Sequence, residues 1–131
     1  MNPNGMQVNK PPLRILIIED EPIIALDLQD FLVDAGFDVV GIAGKLDKAL
    51  EMIESVAFDA AVVDANLAGV SAAPAASALT GRSIPFVVLS GYSLEQHLGA
   101  FAGPPCLQKP FQPAQLMHAL ETIAAGRQDR S

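Results

Sequence analysis

Four short runs in this chain each stop on a polar residue, and none is long enough to be a helix. Leu13 to Ile18 ends at Glu19 and Asp20, Ala60 to Val63 at Asp64, Phe86 to Leu89 at Ser90, and Cys106 to Gln108 at Lys109. A continuous apolar stretch of this length reads as a strand buried on both faces, as in a parallel sheet covered by helices. The carboxyl ends of parallel strands lie side by side, and open sheets bind their ligands there. Three carboxylates, a hydroxyl and an ammonium are therefore expected in one pocket.

Helical patterns fill the intervals. Pro22 is preorganised for a first helical turn, Ile24, Leu28, Phe31, Leu32 and Ala35 recur at helical spacing, and Gly36 is placed to end that helix. Phe37 to Ile42 reads as a second strand, and Leu46 to Val56 as a helix with Leu46, Leu50 and Ile53 on one face. Phe58 to Val63 is the third strand. The alanine-rich segment Ala72 to Leu79 gives a short helix with Pro74 in its first turn. Ser93 followed by Gln96 has the pattern of a capping box and opens a fourth helix reaching about to Phe101. Pro105 to Gln108 suits an edge strand, where a missing donor is tolerated. The last helix begins at Pro113 and buries Leu116, Leu120 and Ile123. Residues 1–12 and 125–131 lack periodicity and read as flexible tails, leaving one domain over 13–124.

Strict alternation of five strands with five helices implies an α/β three-layer sandwich, because right-handed crossovers place helices on both faces of a parallel sheet. At this size the flavodoxin-like (βα)5 order 2-1-3-4-5 is expected, and it makes Asp20 and Asp64 neighbours at the switch point. An FMN-binding flavodoxin is excluded by charge, since its phosphate loop follows the first strand, where this chain carries Glu19 and Asp20.

Composition narrows the classes further. A chain of 131 residues with 50% hydrophobic content supports one core. No apolar run approaches a membrane span, no signal pattern opens the chain, and the single Cys106 excludes an internal disulfide. These features point to a cytoplasmic protein with no membrane partner. A net charge of −7 disfavours nucleic acid, whose phosphates are met by clustered Lys and Arg.

Clustered carboxylates need a proton or a cation to offset their repulsion. Oxygen-only ligands with open water positions favour Mg2+ over Ca2+. Such an ion bridges a carboxylate to a phosphoryl oxygen, and Lys109 adds positive charge from the opposite side. A carboxylate is also a nucleophile, giving an aspartyl phosphate. Asp64 is the central one, with Ser90 placed to donate to a new phosphoryl group.

The motifs Ile18-Glu19-Asp20-Glu21-Pro22, Val63-Asp64, Leu89-Ser90-Gly91 and Gln108-Lys109-Pro110-Phe111 together resemble the receiver domain of two-component response regulators, over about Leu13 to Ile123. The resemblance is to the single-domain subclass, and Ser90-Gly91-Tyr92 partly resembles stand-alone alphaproteobacterial receivers. It implies that Asp64 is the phosphoacceptor and that Asp20, Asp64 and the Asn66 backbone carbonyl bind Mg2+, with Glu19 assisting. It implies too that Ser90 is the switch hydroxyl, that Lys109 holds the phosphoryl group, and that the bond from Lys109 to Pro110 is cis. Tyr92, two residues after the switch hydroxyl, would flank the path of the hydrolytic water. The implied partners are a sensor histidine kinase or histidine phosphotransferase and a downstream protein. The protein would be a monomer or a weak homodimer through the fourth helix, fifth strand and fifth helix. It would be a signalling switch, not an enzyme, catalysing only its own phosphorylation and dephosphorylation.

Two departures matter. Cys106 stands where receivers often have an aromatic residue, so Tyr92 is the candidate for the aromatic movement and Tyr92, Gln96 and Phe101 for a partner surface. The loop Ala65-Asn66-Leu67-Ala68-Gly69 also lacks the proline found in many receivers. Two other classes compete. A pseudo-receiver that only binds partners would not need Asp20, Asp64, Ser90 and Lys109 intact. An aspartyl-phosphate hydrolase of the haloacid-dehalogenase type needs an acid where Asn66 stands. Asp27, Asp30, Asp34 and Asp47 read as solvated helix faces, His97 and His118 as surface residues, and Cys106 as a small core residue.

Overall fold

The structure is a computed structural model that describes residues 12–91 and 99–129. Its main sheet has five parallel strands, β1 (Arg14–Ile18), β2 (Asp38–Ala43), β3 (Ala60–Asp64), β6 (Phe86–Ser90) and β7 (Cys106–Gln108). They lie in the order β2-β1-β3-β6-β7, the flavodoxin-like order. Between them run α1 (Pro22–Asp34), α2 (Leu46–Ser55), α3 (Ala73–Gly81) and, at the end, α4 (Pro113–Asp129). A two-stranded antiparallel hairpin, β4 (Asn66–Leu67) and β5 (Val70–Ser71), interrupts the connection from β3 to α3.

Each central strand is apolar throughout because both its faces are covered, and successive side chains point to opposite faces. Leu16, Ile18, Ala61, Val63 and Val88 pack with Ala49 and Ile53 of α2 and with Ala75, Ala76 and Leu79 of α3. Ile15, Ile17, Val62, Val87 and Leu89 pack on the other side with Leu28 and Leu32 of α1 and with Leu116, Ala119 and Leu120 of α4. Pro74 occupies the first turn of α3, where no helical N–H is needed.

Several elements differ from the sequence reading. The helix expected to open at the Ser93–Gln96 capping box has its start outside the described residues, and at its expected end Gly99–Phe101 forms a single 3-10 turn. Most of the expected tail 125–131 is helical, since α4 continues to Asp129. Apolar spacing marks the buried face of a helix, whereas backbone hydrogen bonding carries the helix past that face. Residues 1–11 of the other expected tail lie outside the described residues. In α1, Ala25 is buried and Ile23, Leu26 and Val33 face outward, while Ala35, the residue that caps its end, is exposed. Strand β7 lies at the sheet edge and starts at Cys106, although the Pro105 carbonyl still accepts from Val88 N–H at 2.8 Å.

The hairpin is absent from the sequence reading because its turn, Leu67-Ala68-Gly69-Val70, lacks an Asn-Gly or Asp-Gly signal. Ala68 (φ 53°) and Gly69 (φ 88°) both have positive φ, the backbone signature of a type I′ turn.

Candidate functional site

The strand register fixes where the polar strand ends lie. Ile18 pairs with Val63, Asp64 with Leu89, and Ser90 with Gln108. One step beyond each pair, Glu19, Asp64, Ser90 and Lys109 follow one another across the carboxyl edge of the sheet. Among the described residues, the buried polar or charged side chains are Glu19 (1% exposed), Asp64 (5%) and Ser90 (1%). All three are at this edge. A fold that buries its polar groups here, at a cost in desolvation, has concentrated its chemistry here.

Lys109 ties the site together. Its Nζ donates to Glu19 Oε1 and to Asp64 Oδ2, each at 3.1 Å. Its own backbone N–H donates to the Ser90 carbonyl at 2.8 Å, so the ammonium is positioned by the pairing of β6 and β7. The peptide bond from Lys109 to Pro110 is cis. The second oxygen of each carboxylate is held by the backbone two residues later: Glu21 N–H donates to Glu19 Oε2, and Asn66 N–H to Asp64 Oδ1, both at 3.1 Å. The Glu21 contact had no sequence signal, because it depends on how the chain turns from β1 into α1.

Charge does not balance. Glu19, the half-buried Asp20 and Asp64 each bring a carboxylate oxygen within 4.8 Å of the others, against one ammonium. Burial, reinforced by the neighbouring Asp64 carboxylate, pushes Glu19 up to about 7, while Glu21 N–H and Lys109 pull the other way. For Lys109, burial opposes the charged form, but the bonds to Asp64 and Glu19 outweigh it and its pKa is raised. Hard carboxylate oxygens in surplus over cationic charge suit Mg2+. Glu19, Asp20 and Asp64 are the carboxylates available to such an ion.

Tyr92 and His97 lie outside the described residues. Cys106 is half-buried, packs against the core beside α2 and α3, and burial pushes its thiol up, away from the reactive thiolate. His118 is exposed on α4. A groove of about 510 Å³ beside the site, between α1 and α4, is lined by Ile24, Asp27, Phe31, Lys109, Phe111 and Leu116 among others. It was not legible in the sequence, since it is made by two helices far apart in the chain.

The response regulator receiver domain family matches residues 15–121, nearly all of the chain in which this geometry is built. The chain belongs to that family. Among relatives, this receiver is 34% identical over 117 residues to the transcriptional regulatory protein PdtaR of Mycobacterium tuberculosis, covering 84% of this chain and 56% of that protein. It is 35% identical over 106 residues to the phyllosphere-induced regulator PhyR of Methylorubrum extorquens, covering 78% of this chain and 40% of that one. The chain thus spans about half the length of these curated relatives. The solution structure of SdrG from Sphingomonas melonis Fr1 superposes with a TM-score of 0.77 at 38% identity, covering 88% of this chain and 99% of that one. Receivers of this family are signalling switches, not enzymes in the ordinary sense. Among the described residues no helix is long and apolar enough to cross a membrane.

Proposed function

We propose that this receiver accepts a phosphoryl group on Asp64 in a two-component phosphorelay and signals by altered partner binding. The observation that carries this reading is the environment of Asp64. One carboxylate oxygen faces the Lys109 ammonium, the other faces the Asn66 N–H, and Glu19 and Asp20 stand within reach of a shared cation.

In the step itself, an Asp64 oxygen attacks the phosphorus of a phosphohistidine or a small phosphodonor. The phosphorus–nitrogen or phosphorus–oxygen bond of the donor breaks, and its electron pair leaves with the donor. Mg2+, when bound, offsets the charge on the transferring group. Lys109 exchanges part of its contact with Asp64 for a phosphoryl oxygen, a short move for an ammonium that already spans two carboxylates. Ser90, next along the edge of the sheet, donates its hydroxyl to the same group. The donor, a histidine kinase or phosphotransferase, meets the open rim beside α1, where Ile23 (76% exposed) and Leu26 (55%) offer apolar contact. On the output side Cys106 is too small to fill space vacated by Ser90. We assign that movement to Tyr92 and the partner surface to Tyr92, Gln96 and the outward residues of α4; Phe101, expected in that surface, is instead buried in the core (7% exposed).

The test is intact-mass measurement after incubation with a small phosphodonor and Mg2+. One phosphoryl group should add to the parent and none to Asp64→Asn, and chelation should abolish the addition. Undiminished modification of Asp64→Asn would move the acceptor elsewhere, and an unmodified parent would leave a pure interaction module.

A further inference from the structure

The turn after Asp64 is more elaborate than a helix entry requires. A loop that only joined β3 to α3 would need no strand pairing, yet here six residues form a closed hairpin. Its base is the bond from Ala72 N–H to the Ala65 carbonyl at 2.9 Å, and its tip is the positive-φ pair Ala68-Gly69. Leu67 is buried (3% exposed) in the core beside α2 and α3 and anchors the hairpin, whereas Val70 and Ser71 are exposed. Ser71 Oγ accepts from Ala73 N–H at 3.1 Å, which ties the far strand to the start of α3.

Register decides which way Asn66 faces. In an antiparallel ladder, hydrogen-bonded and non-hydrogen-bonded pairs alternate. The Ala65–Ala72 bond makes the next pair, Asn66 with Ser71, a non-hydrogen-bonded one. The N–H and C=O of Asn66 consequently point away from Ser71, and in extended backbone both lie on the same edge of the strand. The N–H on that edge donates to Asp64 Oδ1 at 3.1 Å. The carbonyl is therefore presented toward the carboxylate cluster by strand pairing. The carboxamide of Asn66 then closes the structure, its Oδ1 accepting from Gly69 N–H at 2.7 Å. That side chain is exposed, so packing does not hold it there.

We propose that the hairpin of Asn66 to Ser71 is a positioning element of the phosphoacceptor site, in which the Asn66 carboxamide fixes the relation between the Asn66 carbonyl and the Asp64 carboxylate. This rests on the receiver reading for its metal. Mg2+ tolerates little departure from octahedral geometry, so a carbonyl held in one direction binds it better than one that samples several. Apparent affinity falls in proportion to the fraction of molecules in the competent arrangement. The turn is also poised, because Ala68 occupies a conformation that an L residue adopts at a cost, and it weakens the hairpin that Gly69 and Asn66 support.

The test uses the full chain and three substitutions that leave the carboxylates and Lys109 in place. Asn66→Ala removes the acceptor for Gly69 N–H. Gly69→Ala acts through φ alone, since an added Cβ would meet nothing within 4 Å. Ala68→Gly relieves the strained position. Titration with Mg2+ alone should give a Kd raised roughly three- to tenfold in the first two variants. In Ala68→Gly it should be unchanged or lowered, and the Tm of all three should stay near the parent's. In metal-free protein, hydrogen exchange at the Asn66 amide should speed up in Asn66→Ala and Gly69→Ala while the amides of Val62 and Val63 do not change. Parent-like Kd and parent-like Asn66 exchange in both variants would overturn the proposal, as would equal weakening in Ala68→Gly. A parent that binds no Mg2+ would instead sink the metal-binding reading. The exchange measurement would then decide alone whether the hairpin holds Asp64.

Discussion

The two ends of the sheet each carry an ion pair between distant parts of the chain, and the two are built to opposite ends. At the amino edge Arg14 Nε meets Asp59 Oδ2 at 3.2 Å, with the Arg14 side chain 44% exposed and Asp38 adding a weaker attraction to the same guanidinium. Asp59 also accepts from the Arg14 backbone N–H at 2.8 Å, which ties the pair to the start of β1. At the carboxyl edge Lys109 meets two carboxylates buried to 0% and 7% side-chain exposure, with Asp20 beside them. There the charges do not cancel, and Glu19 answers by holding its proton up to about pH 7. An exposed pair is screened by water, contributes little to stability and puts little demand on a counter-ion. A buried cluster with surplus negative charge destabilises the metal-free fold, and that surplus is what a cation can relieve.

The largest test of this contrast is Lys109→Met. Removing the ammonium leaves buried carboxylates facing one another, and the metal-free protein should lose about 2 to 3 kcal/mol at about pH 8 by urea unfolding. The loss should shrink below the Glu19 pKa, where one of the carboxylates is neutral. A loss that does not depend on pH would mean that Lys109 acts through packing, not through charge.

The pH profile of the parent comes next. The folded pKa of Glu19 is raised above its ordinary 4.5, so between 4.5 and about 7 the folded state holds more protons than the unfolded one. Its contribution is fully present below the unfolded value and is lost as pH rises through the folded one. Metal-free stability should therefore fall by on the order of 2 kcal/mol across that window. Glu19→Gln should flatten the slope, and Mg2+ should bind more tightly as pH rises through 7 because it favours the ionised carboxylate. A profile that is flat, or that rises across the window, would remove the charge surplus from the account.

The smallest effects separate the two edges by sign. Asp20→Asn should stabilise the metal-free protein by roughly 1 kcal/mol, because it removes a like charge, and should abolish the extra stability conferred by Mg2+. Arg14→Ala, at the exposed amino edge, should change stability little and leave the response to Mg2+ intact. Destabilisation by Asp20→Asn would show that the carboxyl edge is as self-contained as the other.

Much of this protein was determined by its sequence alone. A parallel strand covered on both faces has to be apolar along its whole length, so the runs ending at Ile18, Val63 and Leu89 announce themselves, and the polar residue that ends each run marks the carboxyl edge. Register came only with the structure, whereas strand order follows from the alternation of strands with helices and from right-handed crossovers. For that reason Glu19, Asp20, Asp64, Ser90 and Lys109 are legible as one group from the pattern of runs and polar ends. Local chemistry is legible wherever one residue type dictates a conformation, as with Pro22 and Pro74 in first helical turns.

What the tertiary structure decided are properties that belong to pairs of distant residues or to backbone direction. The end of α4 escaped the sequence because apolar periodicity reports a buried face and not the length of a helix. The hairpin escaped because Ala68-Gly69 is a weak turn signal and its strands are too short to show alternation; anchoring by Leu67, closure from Ala72 to Ala65 and the bond from Gly69 to the Asn66 carboxamide support it. The raised pKa of Glu19 arises from burial under groups far away in the chain, a quantity that no local pattern encodes. Sequence supplies the charges and the strand ends that gather them, while the three-dimensional packing sets how far water is excluded and hence how strongly those charges act on one another.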